Sequence, residues 1–260
     1  MGSRANYVIV DERGCELYID SDGAVGLLRE FAEGPEAVIE SVRESFLANG
    51  WLDDIWCEGA AVIDTLNQVL VLYSLHHDGV DARARQLTAI RAAWPEWQVR
   101  WAYGGIGDVV AYVGLGRASV RSEMPSAHAE LQPTWNGRPT ARNCLVTVQQ
   151  ADGSVQGHLV RHSYFKPVWE TADLLDALAE LTPSPGWEPQ SADDSGPDHG
   201  LHFDLARRTF GFWTVMSFTE TVDEIAARWP GWTVEFWEDR HEEQAQRAGD
   251  FRTFPFETVL

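Results

Sequence analysis

A helix that is stopped by proline and followed at once by a strand occurs twice in this 260-residue chain. That repetition restricts the possible folds more than any other feature. Leu87, Ile90 and Trp94 fall at i, i+3 and i+7 before Pro95, and Val222, Ile225, Ala226 and Trp229 at i, i+3, i+4 and i+7 before Pro230. Both spacings put apolar side chains on one helix face. Proline has no N–H to donate and disfavours helical geometry in the residue before it, so each helix must end there. The residues after each proline alternate: Trp97, Val99 and Trp101 against Gln98 and Arg100, then Trp232, Val234 and Phe236 against Thr233 and Glu235. That is the two-residue period of a half-buried strand.

Other anchors recur in the same order. Asn6 and Asn143 stand 137 residues apart, Gly50-Trp51 and Gly186-Trp187 136, Asp64 and Asp204 140, and the two Trp-Pro-x-Trp junctions 135. Near-constant offsets of this length indicate two copies of a domain-sized unit rather than a solenoid of short repeats. Apolar runs at Tyr7–Val10 and Cys15–Ile19, and at Gly59–Asp64 and Val69–Ser74, predict two hairpins in the first copy. A helix is expected from Pro35, with Val38, Val42 and Phe46 as its stripe and Gly50 at its end, and a second helix capped by Asp81. The predicted fold is α+β: a tandem duplication of a β-β-α-β-β-α-β unit, with mostly antiparallel sheets and helices packed on them. The expected boundaries are residues 1–115 for the first unit, 116–140 for a proline-punctuated connector, and 141–260 for the second unit with its C-terminal tail.

Forty carboxylates against twenty Lys and Arg leave a formal net charge of −20. Binding to nucleic acid or to an anionic membrane rests on clustered Lys and Arg, so neither is expected, and the fitting partner is a basic or neutral protein. Cys15, Cys57 and Cys144 are odd in number and follow no metal or redox spacing, which reads as reduced core cysteines. Charges at Asp11, Glu12, Arg13, Glu16 and Asp20 interrupt the first thirty residues, and no apolar run reaches membrane-spanning length. A cytoplasmic location is the expectation.

No motif identifies a catalytic centre, and neither a cofactor nor a metal is predicted. Trp51, Asp53, Asp54, Trp56 and Glu58 form the densest acidic-aromatic run and are the candidate partner-binding residues, because aromatic side chains suit interface cores and acidic rims steer basic partners. His76, His77 and Asp78 are the candidates for an alternative pocket, although adjacent side chains on an extended chain point to opposite sides. Asp193, Asp194, Asp198 and His199 read as an acidic surface loop that lacks the ligand order of an EF-hand. The expected function is an acidic intracellular protein-interaction module, of the immunity or antitoxin kind, that covers a basic partner. The alternative is a small-molecule-binding protein or enzyme with its site between the two units.

Overall fold

The computed structural model describes residues 3–77, 79–122, 132–133, 143–161, 173–184, 186, 196–218 and 220–254. They form two similar sheet-and-helix parts. In the first, β1 (Ala5–Asp11) and β2 (Gly14–Asp20) make an antiparallel hairpin, and α1 (Gly23–Phe31) and α2 (Pro35–Glu44) carry the chain across the sheet. The two-residue β3 (Phe46–Leu47) adds to β2, and β4 (Gly59–Asp64) returns parallel to β1. β5 (Val69–Ser74) runs antiparallel to β4, α3 (Gly79–Ala93) crosses over, and β6 (Gln98–Trp101) lies parallel to β5. The order is β3-β2-β1-β4-β5-β6. After α4 (Ile106–Tyr112) and a 3-10 turn at Arg117–Val120 comes the second part: β7 (Gln132–Pro133), β8 (Asn143–Gln149), β9 (Val155–Arg161), α5 (Leu174–Ala179), β10 (His199–Asp204), β11 (Thr209–Thr214), α6 (Val222–Ala227), β12 (Thr233–Phe236) and α7 (His241–Ala248). Its order, β12-β11-β10-β8-β9-β7, repeats β6-β5-β4-β1-β2 of the first sheet with the same directions.

The sheets are mixed: of the ten strand pairings among the described residues six are antiparallel, as expected, and four are parallel. Each helical crossover delivers the next strand parallel to its neighbour, as β1 with β4 and β5 with β6, while each tight turn delivers it antiparallel. The likeness extends to single atoms. Asp64 Oδ1 accepts from the amides of Leu66 and Asn67, and Asp204 Oδ1 from that of Arg207, closing equivalent turns. Gln68 at φ 53° and Arg208 at φ 52° take the left-handed position in those turns, and their carbonyls accept from Gln98 and Thr233 to start β6 and β12. The proline junctions coincide too, with Glu96 at φ 70° and Gly231 at φ 79°. Both parts then end in a helix, α4 or α7, so the polar tail helix has a counterpart in the first part.

The register corrects one anchor. Ala5 pairs with Gly59 and Cys144 with His199, so Ala5 corresponds to Cys144 and Asn6 to Leu145; Asn143 lies two places out of line. Three local expectations also change. α2 ends at Glu44 because Ser45 turns extended (φ −69°, ψ 169°), which puts Phe46 on β3, 76% exposed, instead of on a helix stripe. α3 begins at Gly79, so Asp81 sits in its first turn and not at its cap. Cys15, at the hairpin end of β2, is exposed, whereas Cys57 and Cys144 are buried, and burial pushes both of those thiols up, that of Cys57 to about 11.

The repeated tryptophans are core residues. Trp94 is 1% exposed and its indole N–H donates to the Phe31 carbonyl at 2.6 Å, while Trp229 is 2% exposed between Phe203 and Phe210. On the other face of the second sheet, α7 and the turn before it fit onto glycine-smoothed strands. A Cβ on Gly200 would come within 2.0 Å of Gln244 and Trp213, and one on Gly211 within 1.8 Å of Trp237. The buried Gln244 side chain donates to the carbonyls of Leu145 and Leu201 and accepts from the Trp213 indole.

Candidate functional site

The acidic-aromatic run folds as a tight loop between β3 and β4, with much of its acidity spent on its own backbone. Asp53 Oδ1 accepts from the amides of Ile55 and Trp56 at 3.0 and 2.9 Å. Asp54 takes the Ser122 amide at 2.9 Å while its own amide bonds to Val120, tying the loop to the 3-10 turn. Trp51 is half-buried against the first core. Trp56 stands out, 53% exposed, with the Arg4 guanidinium carbon 4.8 Å from its ring centre. Both aspartates are half-buried, and each has Oδ1 bonded to backbone amides.

Glu58 and His76, from the two separate candidate sets, meet: Glu58 Oε2 lies 2.6 Å from His76 Nε2. They do so because the Leu75 amide bonds the Glu58 carbonyl, continuing the β4–β5 ladder past its end. His77 turns the opposite way, as alternation requires, and stands edge-on to Trp101 with ring centroids 6.4 Å apart. Asp78 lies outside the described residues, as do Asp193 and Asp194. Asp198 and His199 are buried and His199 opens β10, which corrects their reading as a surface loop. The His199 ring sits 2.6 Å from the Thr214 hydroxyl.

His77 belongs to a seam where the two parts meet. At its centre is Arg83, on the second turn of α3, with no exposed surface. Its Nη2 donates to Asp239 at 2.5 Å and its Nη1 to the Val215 carbonyl at 3.4 Å; its guanidinium carbon lies 4.8 Å from the Trp101 ring and 5.7 Å from that of Tyr103. A cation enclosed in this way is held by charge, by hydrogen bonds and by two ring faces. Val80, one turn earlier, packs with Trp213, Val215 and Trp237 of the second part. Reciprocally, the Tyr103 carbonyl accepts from the Phe218 amide and its ring packs on Phe236. The chain beyond β5 and β6 thus faces the chain beyond β11 and β12. Arg121 with Glu224, at 2.6 Å, adds an ion pair across the same seam.

The seam sets unusual protonation states. Burial first, and the neighbouring Arg83 charge second, push the His77 ring down to about 4, with the Val215 backbone opposing the fall, so the ring is neutral at neutral pH. Burial also raises the Tyr103 hydroxyl well above its ordinary range, with Arg83 opposing and Asp239 adding to the rise. Both His77 ring nitrogens and the Trp101 indole N–H are buried without a well-formed hydrogen bond among the described residues; Val215 is near enough to act on the His77 charge but not aligned to bond the ring. A neutral imidazole is a base in form, yet no nucleophile is hydrogen-bonded to it there.

Arg83, Tyr103 and Asp239 do not stand out in the sequence. The one signal it carries is a length difference: from Asp64 to Trp94 is five residues more than from Asp204 to Trp229. That excess lies at the start of α3, in the turns that carry Val80 and Arg83. Among the described residues no three His, Cys, Asp or Glu side chains stand together as a metal site, and no helix is long and apolar enough to cross a membrane. Comparison of the chain with protein-family models, curated proteins and solved structures finds no match.

Proposed function

We propose that the chain is an acidic, cytoplasmic protein-interaction module that covers a basic partner, in the manner of an immunity protein or antitoxin. We read its two parts as copies of one unit, residues 1–115 and 141–260. The observation that carries the functional reading is the set of exposed apolar side chains on the first part. Val25, Phe46, Leu47, Trp56, Leu66 and Leu115 are exposed there, on a chain of net charge −20. Apolar contacts ringed by carboxylates suit a partner that is both basic and partly apolar. Trp51, Asp53, Asp54, Trp56 and Glu58 remain the contact residues of this reading.

Charge recognition acts mainly on the association rate and weakens as salt screens the field. For a protein captured from a cytosolic extract, association measured over a salt series is expected to slow as salt rises, with dissociation changing less. Replacing Asp53, Asp54 and Glu58 by Asn, Asn and Gln keeps the loop's acceptor atoms and is expected to lower the association rate. An association rate indifferent to both salt and substitution would refute the reading. The alternative, a small-molecule site between the parts, rests on the unbonded His77 and Trp101 nitrogens. It predicts that His77→Gln abolishes a ligand's heat of binding without moving the partner's association rate.

A further inference from the structure

The first sheet has a second acidic surface, at the edge opposite β6. A cleft opens between α1, α2 and the β1–β2 hairpin, floored by the buried Tyr7, Phe31, Val38 and Val42 and rimmed by Asp20, Glu30 and Glu33. It is shallow and open-mouthed, with about 40 Å³ of enclosed room, too little for a small-molecule ligand and enough for the end of one side chain. The rim is short of cations: Arg29 reaches Glu30 only at 3.9 Å and is itself largely exposed, and Arg43 is engaged by Asp11. The field of Asp20 and Glu30 reaches the floor, where it adds to burial in raising the Tyr7 phenol.

Two neighbouring features have the same sense. Glu36, Glu40 and Glu44 are exposed and recur at i, i+4 and i+8 along α2, a like-charge spacing that costs helix stability in the free protein. Ser45, which lines the cleft, is followed by β3, whose Phe46 and Leu47 are 76% and 60% exposed on the sheet's outermost strand. With only two residues, β3 offers little backbone pairing, so recognition here must come from side chains.

We propose that the α1–α2 cleft and the Phe46–Leu47 edge form one docking surface for a basic protein segment. An arginine or lysine of the partner enters the cleft, its aliphatic stem along Val38 and Val42 and its charged head among Asp20, Glu30 and Glu33. An adjacent apolar side chain of the partner rests on Phe46 and Leu47. Such a long basic side chain suits the cleft because its stem is apolar and its head stays near water. Charge complementarity selects this occupant: the rim carries Asp20, Glu30 and Glu33, and α2 beside it carries three glutamates against one arginine, Arg43, which Asp11 engages. The proposal rests on the acidic-module reading but moves recognition to a different face.

The test uses the full chain and a fluorescent peptide of alternating arginine and leucine, with an alternating glutamate and leucine peptide as control. Anisotropy titrations compare the parent with Glu30→Gln/Glu33→Gln, with Phe46→Ser/Leu47→Ser, and with Asp53→Asn/Asp54→Asn/Glu58→Gln. All these positions are at least partly exposed, and circular dichroism checks that each variant is folded. The expected result is a loss of affinity of about tenfold for each of the first two variants and less than about threefold for the third. If only the third variant weakens binding, the cleft proposal is overturned and the acidic-module reading survives. If the basic peptide binds no better than the acidic control, both fall.

Discussion

Trp94 shows what one side chain contributes to this architecture. It ends α3, fills the space beneath α1 and bonds to the Phe31 carbonyl, so truncation removes a large packed ring and a buried hydrogen bond together. Trp94→Ala is expected to destabilise by about 3–5 kcal/mol in urea unfolding, and Trp229→Ala by a similar amount. An unchanged midpoint in either would mean the ring is not core. Both tryptophans were legible because helix period, proline stop and strand period are local signals. The buried histidines were not, since nothing local distinguishes a histidine under a helix from one in solvent. Burial, helped by the Arg247 charge, pushes His202 down to about 4, and His77 lies equally low. A group that protonates less readily when folded leaves the unfolded chain binding more protons between pH of about 4 and 6.5. Stability from these residues is therefore full above that window, declines as pH falls through it and is flat below. His202→Gln is expected to remove on the order of 2 kcal/mol of that decline, read from unfolding free energies at successive pH values. Glu224, held down at about 2 first by its hydrogen bond with Arg121, acts in a separate window below about pH 4.5.

Among the elements, the closing helices show how unlike sequences serve one position. α4 covers the first sheet with Ile106 and Val109, whereas α7 covers the second with Gln244, whose amide satisfies two strand carbonyls. That exchange hid the equivalence, because a polar segment such as Asp239–Gly249 does not read as a sheet-covering helix. Gly200→Ala would drive a methyl into the Gln244–Trp213 hydrogen bond. It is expected to cost about 2 kcal/mol or more and to raise hydrogen exchange across α7 before the rest of the second part. The start of α3 was misplaced for a different reason. Gly79, at φ 88°, and the histidines before it have loop composition, while the contacts that extend the helix come from Trp213, Val215 and Trp237 far along the chain. Phe46 keeps helical spacing from Val42 on paper, but the extended Ser45 overrides it. The Asn6–Asn143 pairing slipped by two residues, an even number that leaves strand alternation intact and so gives no warning in the pattern.

For the whole molecule, the seam joins the parts through a buried cation of the first part that Asp239 of the other part neutralises. Removing one partner of a buried ion pair leaves an uncompensated charge, so Arg83→Met is expected to be far milder than Asp239→Asn with Arg83 retained, the latter costing about 3 kcal/mol in unfolding experiments. The candidate site was legible at this scale only as a charge balance. Sequence brought out the acidic-aromatic run, but that Glu58 would meet His76, and that the cleft rim would gather Asp20, Glu30 and Glu33, depends on strand pairing that no spacing states. The seam also bears on how molecules of this kind crowd together. Because its surfaces belong to one chain, the first part of one molecule and the second part of another can satisfy every contact that Arg83, Tyr103 and Val80 make within a single molecule. Surfaces joined in one chain meet at an effective concentration of about a millimolar, so exchange between chains competes only when the protein itself approaches that level. Dilute samples are therefore expected to run as monomers in size-exclusion chromatography, and samples refolded at millimolar concentration to yield a swapped dimer that dissociates slowly on dilution.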